Sequence, residues 1–163
     1  MGRLARMSLA LFAIVLIAVA AGLALEGSGD GGGDSATPHL YWGATIGSQL
    51  TGEEAPWDMT AVTKFEEMTQ KPLSLIQFFQ PFAECEGSSC SFYDFPTTPM
   101  ESIREHGSIP VLSWSSQSIP SSLDEPNFQL SDLIEGRYDT YIRKFAGEAA
   151  AWGHPFFLRF DWE

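Results

Sequence analysis

Residues 154–163 (HPFFLRFDWE) place three ionisable side chains, Arg159, Asp161 and Glu163, at alternate positions. Side chains alternate across a strand, so these three share one face while Leu158, Phe160 and Trp162 share the other. An apolar face toward helices and a charged face toward a lumen is what a strand of an α/β barrel carries near its catalytic end. The run is therefore expected to be a buried strand presenting Glu163 as an active-site carboxylate. Nothing follows Glu163, and an open strand edge exposes unpaired backbone groups. The chain is accordingly expected to be a fragment of a longer barrel.

The elements needed to hold such a strand follow from hydrophobic periodicity. Residues 40–47 (LYWGATIG) predict strand one, and residues 60–70, with Val62, Phe65, Glu66 and Met68 spaced by threes and fours, predict helix one. Residues 73–82 (LSLIQFFQPF) predict strand two, then a cysteine-containing loop, then helix two over 100–106 closed by Gly107. Residues 109–115 (IPVLSWS) predict strand three. Residues 132–152 carry the longest apolar stripe, from Leu133 through Tyr138, Ile142 and Phe145 to Trp152, and predict one helix ended by Gly153. Strand four runs to Glu163. Strand-to-strand intervals of about 33, 36 and 46 residues suit βα units. Four such units are about half of an eight-fold barrel, which takes about 250 residues. The predicted class is α/β, the first half of a (β/α)8 barrel over residues 39–163. A four-stranded doubly wound domain of this size is the competing fold, with the objection that its parallel sheet would lack cover on one face.

The N-terminus sets the address. Residues 1–25 have Arg3 and Arg6 ahead of an apolar run broken by Gly22, the pattern of a secretory signal peptide, or of an anchor in the membrane where it is not cleaved. Residues 26–38 are rich in Gly, Ser and Asp and predict a flexible linker. The leader takes two of the nine basic residues and none of the twenty-one acidic ones, so the exported part keeps seven against twenty-one, a net of −14. Such a surface repels nucleic acid and anionic lipid and accepts a neutral substrate more readily. Cys85 and Cys90 are the only cysteines and, in an exported chain, are expected to be bonded to each other. His39, His106 and His154 show no ligand spacing relative to them, so no metal site and no cofactor is expected.

The segment FLRFDWE, with LYWGATIG, the PVLSW strand and the long third helix ending in Gly before strand four, resembles glycoside hydrolase family 26, the β-mannanase family of (β/α)8 barrels. The resemblance covers about residues 40–163. It implies that Glu163 is the general acid/base of a retaining mechanism, protonating the leaving glycosidic oxygen and later activating water. That mechanism needs a second carboxyl as nucleophile about 5–5.5 Å away, which family members carry on strand seven. Trp162 stands where many members have His.

The other candidates are judged by type and position. Arg159 is expected to orient carboxylates, and Asp161 to share its face. Trp114, at the end of strand three, and Trp42, on strand one, can stack on a sugar ring or pack as core, and Gln80 can bond a sugar hydroxyl. The expected partner is a polysaccharide, a β-mannan or related β-glycan, met by a secreted monomer. The alternative is a non-catalytic exported module, a carbohydrate-binding domain or pseudo-enzyme.

Overall fold

The computed structural model describes residues 40–161, so the signal peptide and linker expected over 1–38, and also Trp162 and Glu163, lie outside the described residues. Among the described residues nine elements follow one another: β1 (Gly43–Thr45), α1 (Met59–Thr69), β2 (Leu75–Glu86), β3 (Ser89–Phe92), α2 (Thr97–His106), β4 (Ile109–Ile119), α3 (Leu130–Ile134), α4 (Asp139–Trp152) and β5 (Phe157–Phe160). Local chemistry sets their limits. The Asp58 carboxylate accepts the Thr60 N–H at 2.9 Å and starts α1. Gly107 and Gly153, at φ 92° and 72°, end α2 and α4 in the left-handed conformation that glycine takes without penalty.

The protein is α/β with a mostly parallel five-stranded sheet in the order β1-β2-β4-β5. β3 pairs antiparallel with the far half of β2. The parallel strands thus lie in chain order. Since a parallel crossover is right-handed, strands added always in one direction send every crossover helix to the same face.

Burial agrees with that geometry. Ile76 and Phe78 of β2 and Leu112 and Trp114 of β4 join Ala61 and Val62 of α1, Met100 and Ile103 of α2 and Phe145 of α4 in one core cluster. Burying a side chain of this size stabilises by roughly 1.5–3 kcal/mol, so this face holds the sheet together. The opposite face carries Gln77, Phe79, Val111, Ser113, Phe157 and Arg159, and there Phe79 and Phe157 are 46% and 56% exposed.

Four expectations are corrected. β5 is exposed along its length, where a buried strand was expected, because its only strand partner among the described residues is β4 and it forms an edge. The helix expected over 132–152 is two helices, broken where Gly136 adopts φ 80°. The cysteine loop is a hairpin in which Cys85 and Cys90 stand directly opposite each other and are bonded, with Gly87 at φ 63° in the turn. β4 also runs four residues beyond the expected Ser115.

Two clasps brace the helix layer. Glu101 of α2 accepts Arg104 Nε–H at 2.9 Å and, across to α4, Trp152 Nε1–H at 3.1 Å. The Arg104 bond is the main reason its carboxyl is held down at about 2. Glu148 of α4 accepts the Phe95 N–H at 2.9 Å and so fixes the segment between β3 and α2.

β1 owes its place to a residue without a side chain. A Cβ on Gly43 would stand 2.5 Å from both the carbonyl oxygen and the Cβ of Leu75 in β2. Gly43→Ala should therefore push β1 off the sheet and cost about 1–3 kcal/mol. Gly47→Ala should cost less, since its close neighbour is the flexible Gln49 side chain. Urea titrations of the two variants measure the difference.

Candidate functional site

The C-terminal ends of parallel strands are where α/β folds assemble sites. Here that end is formed by β4, β5 and the segment between β4 and α3. β5 stops at Phe160. Asp161 turns left-handed at φ 36°, and its N–H donates to the Trp114 carbonyl at 3.2 Å. Its carboxylate accepts the Ser116 N–H and the Ser116 hydroxyl, each at 2.6 Å. Three hydrogen bonds thus fasten the residue after β5 to β4, two of them to a charged acceptor and so of the stronger kind. Asp161 has left the strand, so the alternation that grouped it with Arg159 does not apply to it.

The segment beyond β4 is fastened in the same manner. Glu125 accepts the Ser118 N–H at 3.0 Å and Ser118 hydroxyl at 3.1 Å through one oxygen, and the Ser122 N–H at 2.9 Å through the other. Between these clasps lies an open cleft of about 360 Å³, lined by Ser115, Ser116, Gln117, Leu123, Phe128 and Asp161, among others. Ser115 is 7% exposed, and its hydroxyl is buried without a hydrogen-bond partner. Leu123 is fully exposed at the rim.

The residues singled out by type are divided by the sheet. Arg159 lies on the open face in register with Ser113, whose hydroxyl accepts Gln77 Nε2–H at 2.8 Å. Trp114 points the other way. It is 5% exposed and stacks on Phe145 with ring centres 4.1 Å apart and planes 11° from parallel. Its indole N–H is buried, and the Tyr141 hydroxyl is the group it bears on as a donor. Gln80, the register partner of Trp114, is buried and donates Nε2–H to the Asp94 carbonyl at 2.8 Å. Trp42 precedes β1, its indole N–H bonding the Pro72 carbonyl at 2.6 Å and its ring packing on Phe65 and under Lys71. It sits at the N-terminal end of the sheet. At about 3.3 Å per strand residue, that is roughly 25 Å from the cleft.

Tyr141 keeps its proton near neutrality. Burial pushes its hydroxyl up to about 12, and the group donates toward the Tyr93 carbonyl at 3.0 Å and the Phe82 carbonyl at 3.2 Å, pinning the hairpin strands to α4. Among the described residues no group of three or more His, Cys, Asp or Glu is arranged to hold a metal ion, and no helix is long and apolar enough to cross a membrane. The chain matches no protein-family model and no curated protein.

Sequence reasoning missed Ser115, Ser116, Gln117 and Glu125. The signal available was the run SWSSQS, in which a strand parity counted from Leu112 continues past Trp114 into the serines.

The clasp on Asp161 makes a specific demand on side-chain chemistry. Asn tolerates the left-handed conformation and retains an acceptor for the Ser116 N–H, so Asp161→Asn should cost less than about 1 kcal/mol. Asp161→Ala loses both carboxylate bonds and should cost about 2–3 kcal/mol. Chemical denaturation of the pair tests this, and equal costs would remove the clasp from the account.

Proposed function

We propose that the chain belongs to a secreted glycoside hydrolase of the β-mannanase type, acting on a neutral β-glycan by retaining double displacement, with Glu163 as general acid/base. The observation that carries this reading is the sheet. Parallel strands in chain order with helices on one face suit the first half of a (β/α)8 barrel, whereas a doubly wound domain reverses strand order and covers both faces. On that reading the exposed face bearing Gln77, Phe79, Phe157 and Arg159 is lumen, and the ends of β4 and β5 are the catalytic rim.

The segment FLRFDWE that resembles family 26 then falls where a barrel puts its chemistry, with β5 supplying FLRF and Asp161 the clasped residue two positions ahead of Glu163. In the proposed reaction Glu163 gives its proton to the leaving oxygen as a nucleophilic carboxylate attacks the anomeric carbon. Water then loses a proton to Glu163 and releases the sugar. Arg159, on the lumen face, holds carboxylates in place. The acidic exported part, with its net charge of −14, suits an uncharged polysaccharide.

The test uses the natural polypeptide that carries this segment. It should release reducing sugar from at least one member of a panel of mannan, xylan and mixed-linkage glucan. Glu163→Ala should lower kcat by about 10²–10⁴-fold, the usual contribution of a positioned acid/base. Full activity in Glu163→Ala would remove the residue from the mechanism.

A further inference from the structure

The hairpin of β2 and β3 carries a covalent bond beside a cavity of its own, apart from the cleft beyond β4. We propose that the Cys85–Cys90 disulfide is a thiol-reactive site, opened by a small thiol at Cys90 Sγ, and that its opening releases the segment between β4 and α3.

The two sulfurs differ in access. A cavity of about 290 Å³ lies against the hairpin, lined by Ser88, Cys90, Phe92, Asn127, Phe128 and Tyr138, none of them charged. Cys90 and Phe92 stand two positions apart on β3 and share one face. The Phe92 ring meets the rings of Phe128 and Tyr138 at 5.9 and 6.2 Å between centroids, so this face is the one turned to the cavity. Cys90 is half-buried, whereas Cys85 is 7% exposed and belongs to the core cluster. Access decides which sulfur of a disulfide is attacked, and here it selects Cys90.

The exchange balances with the thiol as reductant. A thiolate attacks Cys90 Sγ, the Sγ–Sγ bond breaks, and Cys85 leaves as a thiolate that takes a proton from water. A second thiolate attacks the small molecule's sulfur in the mixed disulfide and frees Cys90. Two thiols have then become one small disulfide, and the protein has gained two electrons and two protons.

The consequence follows from what the hairpin turn holds. Beyond Cys85 opposite Cys90 the ladder has one more pair, Glu86 opposite Ser89, and then the turn at Gly87. The Gly87 carbonyl accepts Asn127 Nδ2–H at 3.0 Å, and the Asn127 carbonyl accepts the Tyr138 hydroxyl. Next to Asn127, Phe128 packs edge-on against Phe82 and Phe92 and lines both this cavity and the larger cleft. Among the described residues β3 pairs with β2 alone, and a two-stranded ribbon is marginal in water. Without the disulfide the turn frays, Asn127 loses its acceptor, and the Phe128 wall of the cleft loosens.

The natural polypeptide, folded, is treated with 2-mercaptoethanol, quenched with iodoacetamide and mapped by mass spectrometry. The mercaptoethanol adduct should lie on Cys90 and the carbamidomethyl group on Cys85. An adduct on Cys85, or no reaction until denaturant is added, overturns the site. Hydrogen exchange reads the release at the amides of Glu125 and Phe128, which are bonded within the segment to Ser122 and Glu125. Both should exchange about tenfold faster in the Cys85→Ser/Cys90→Ser double variant, the effect of losing one supporting hydrogen bond. Asn127→Ala, with its disulfide intact, should show the same change there while the hairpin amides stay slow. Unchanged exchange at these two amides in either variant overturns the release. Faster exchange throughout the double variant overturns it as well, since the disulfide would then support the whole fold.

Discussion

Everything else in the molecule hangs on the pairing of β2 with β4. Their ladder runs in parallel register from Leu75 opposite Ile109 to Pro81 opposite Ser115, and its two faces differ in kind. Leu112 and Trp114 turn to the helices and are buried there, while Val111 and Ser113 turn to the open face. Because both neighbours, β1 and β5, add on in chain order, the helices follow to one face. The face left over is where Arg159 and Gln77 lie. Helix cover on one face thus supplies the core, while the other face keeps Phe79 and Phe157 about half exposed although Ser113 between them is buried.

The site is held by polar fastenings at the strand ends. Asp161 gives up its strand conformation to bind Ser116, and Glu125 does the same for the segment after Ser118. Both are acidic residues at positive φ, and both accept a backbone N–H together with a serine hydroxyl from β4. Carboxylates beside a cleft suggest catalysis at first sight. Both oxygens of each already accept a hydrogen bond, and these bonds set the path of the backbone around the cleft. On the proposed mechanism the proton work falls to Glu163 alone within this segment.

Much of this architecture was legible in the sequence. The four parallel strands, the glycine-ended helices and the bonded cysteines follow from periodicity, from Gly107 and Gly153 at helix ends, and from two cysteines five positions apart. The break in the third helical segment was not, because its apolar stripe runs without a gap from Leu133 to Tyr138 while the backbone turns at Gly136. β3 was hidden because SCSF has one exposed face and a disulfide in place of an apolar one. The edge position of β5 cannot be read from a segment as apolar as HPFFLRF. Residue type also misled at the site. Trp42, Trp114 and Gln80 have carbohydrate-binding side chains, but Trp114 shares parity with Leu112 and Gln80 is its register partner, which puts both on the helix side.

The central claim is that β5 delivers the acid/base of a retaining glycosidase. Proton NMR of the natural polypeptide acting on a β-linked oligosaccharide reads it most directly, through the anomeric configuration of the first product before mutarotation. The account predicts the β-anomer. An α-anomer as the first product would mean inversion, and would contradict the double displacement on which the role of Glu163 rests.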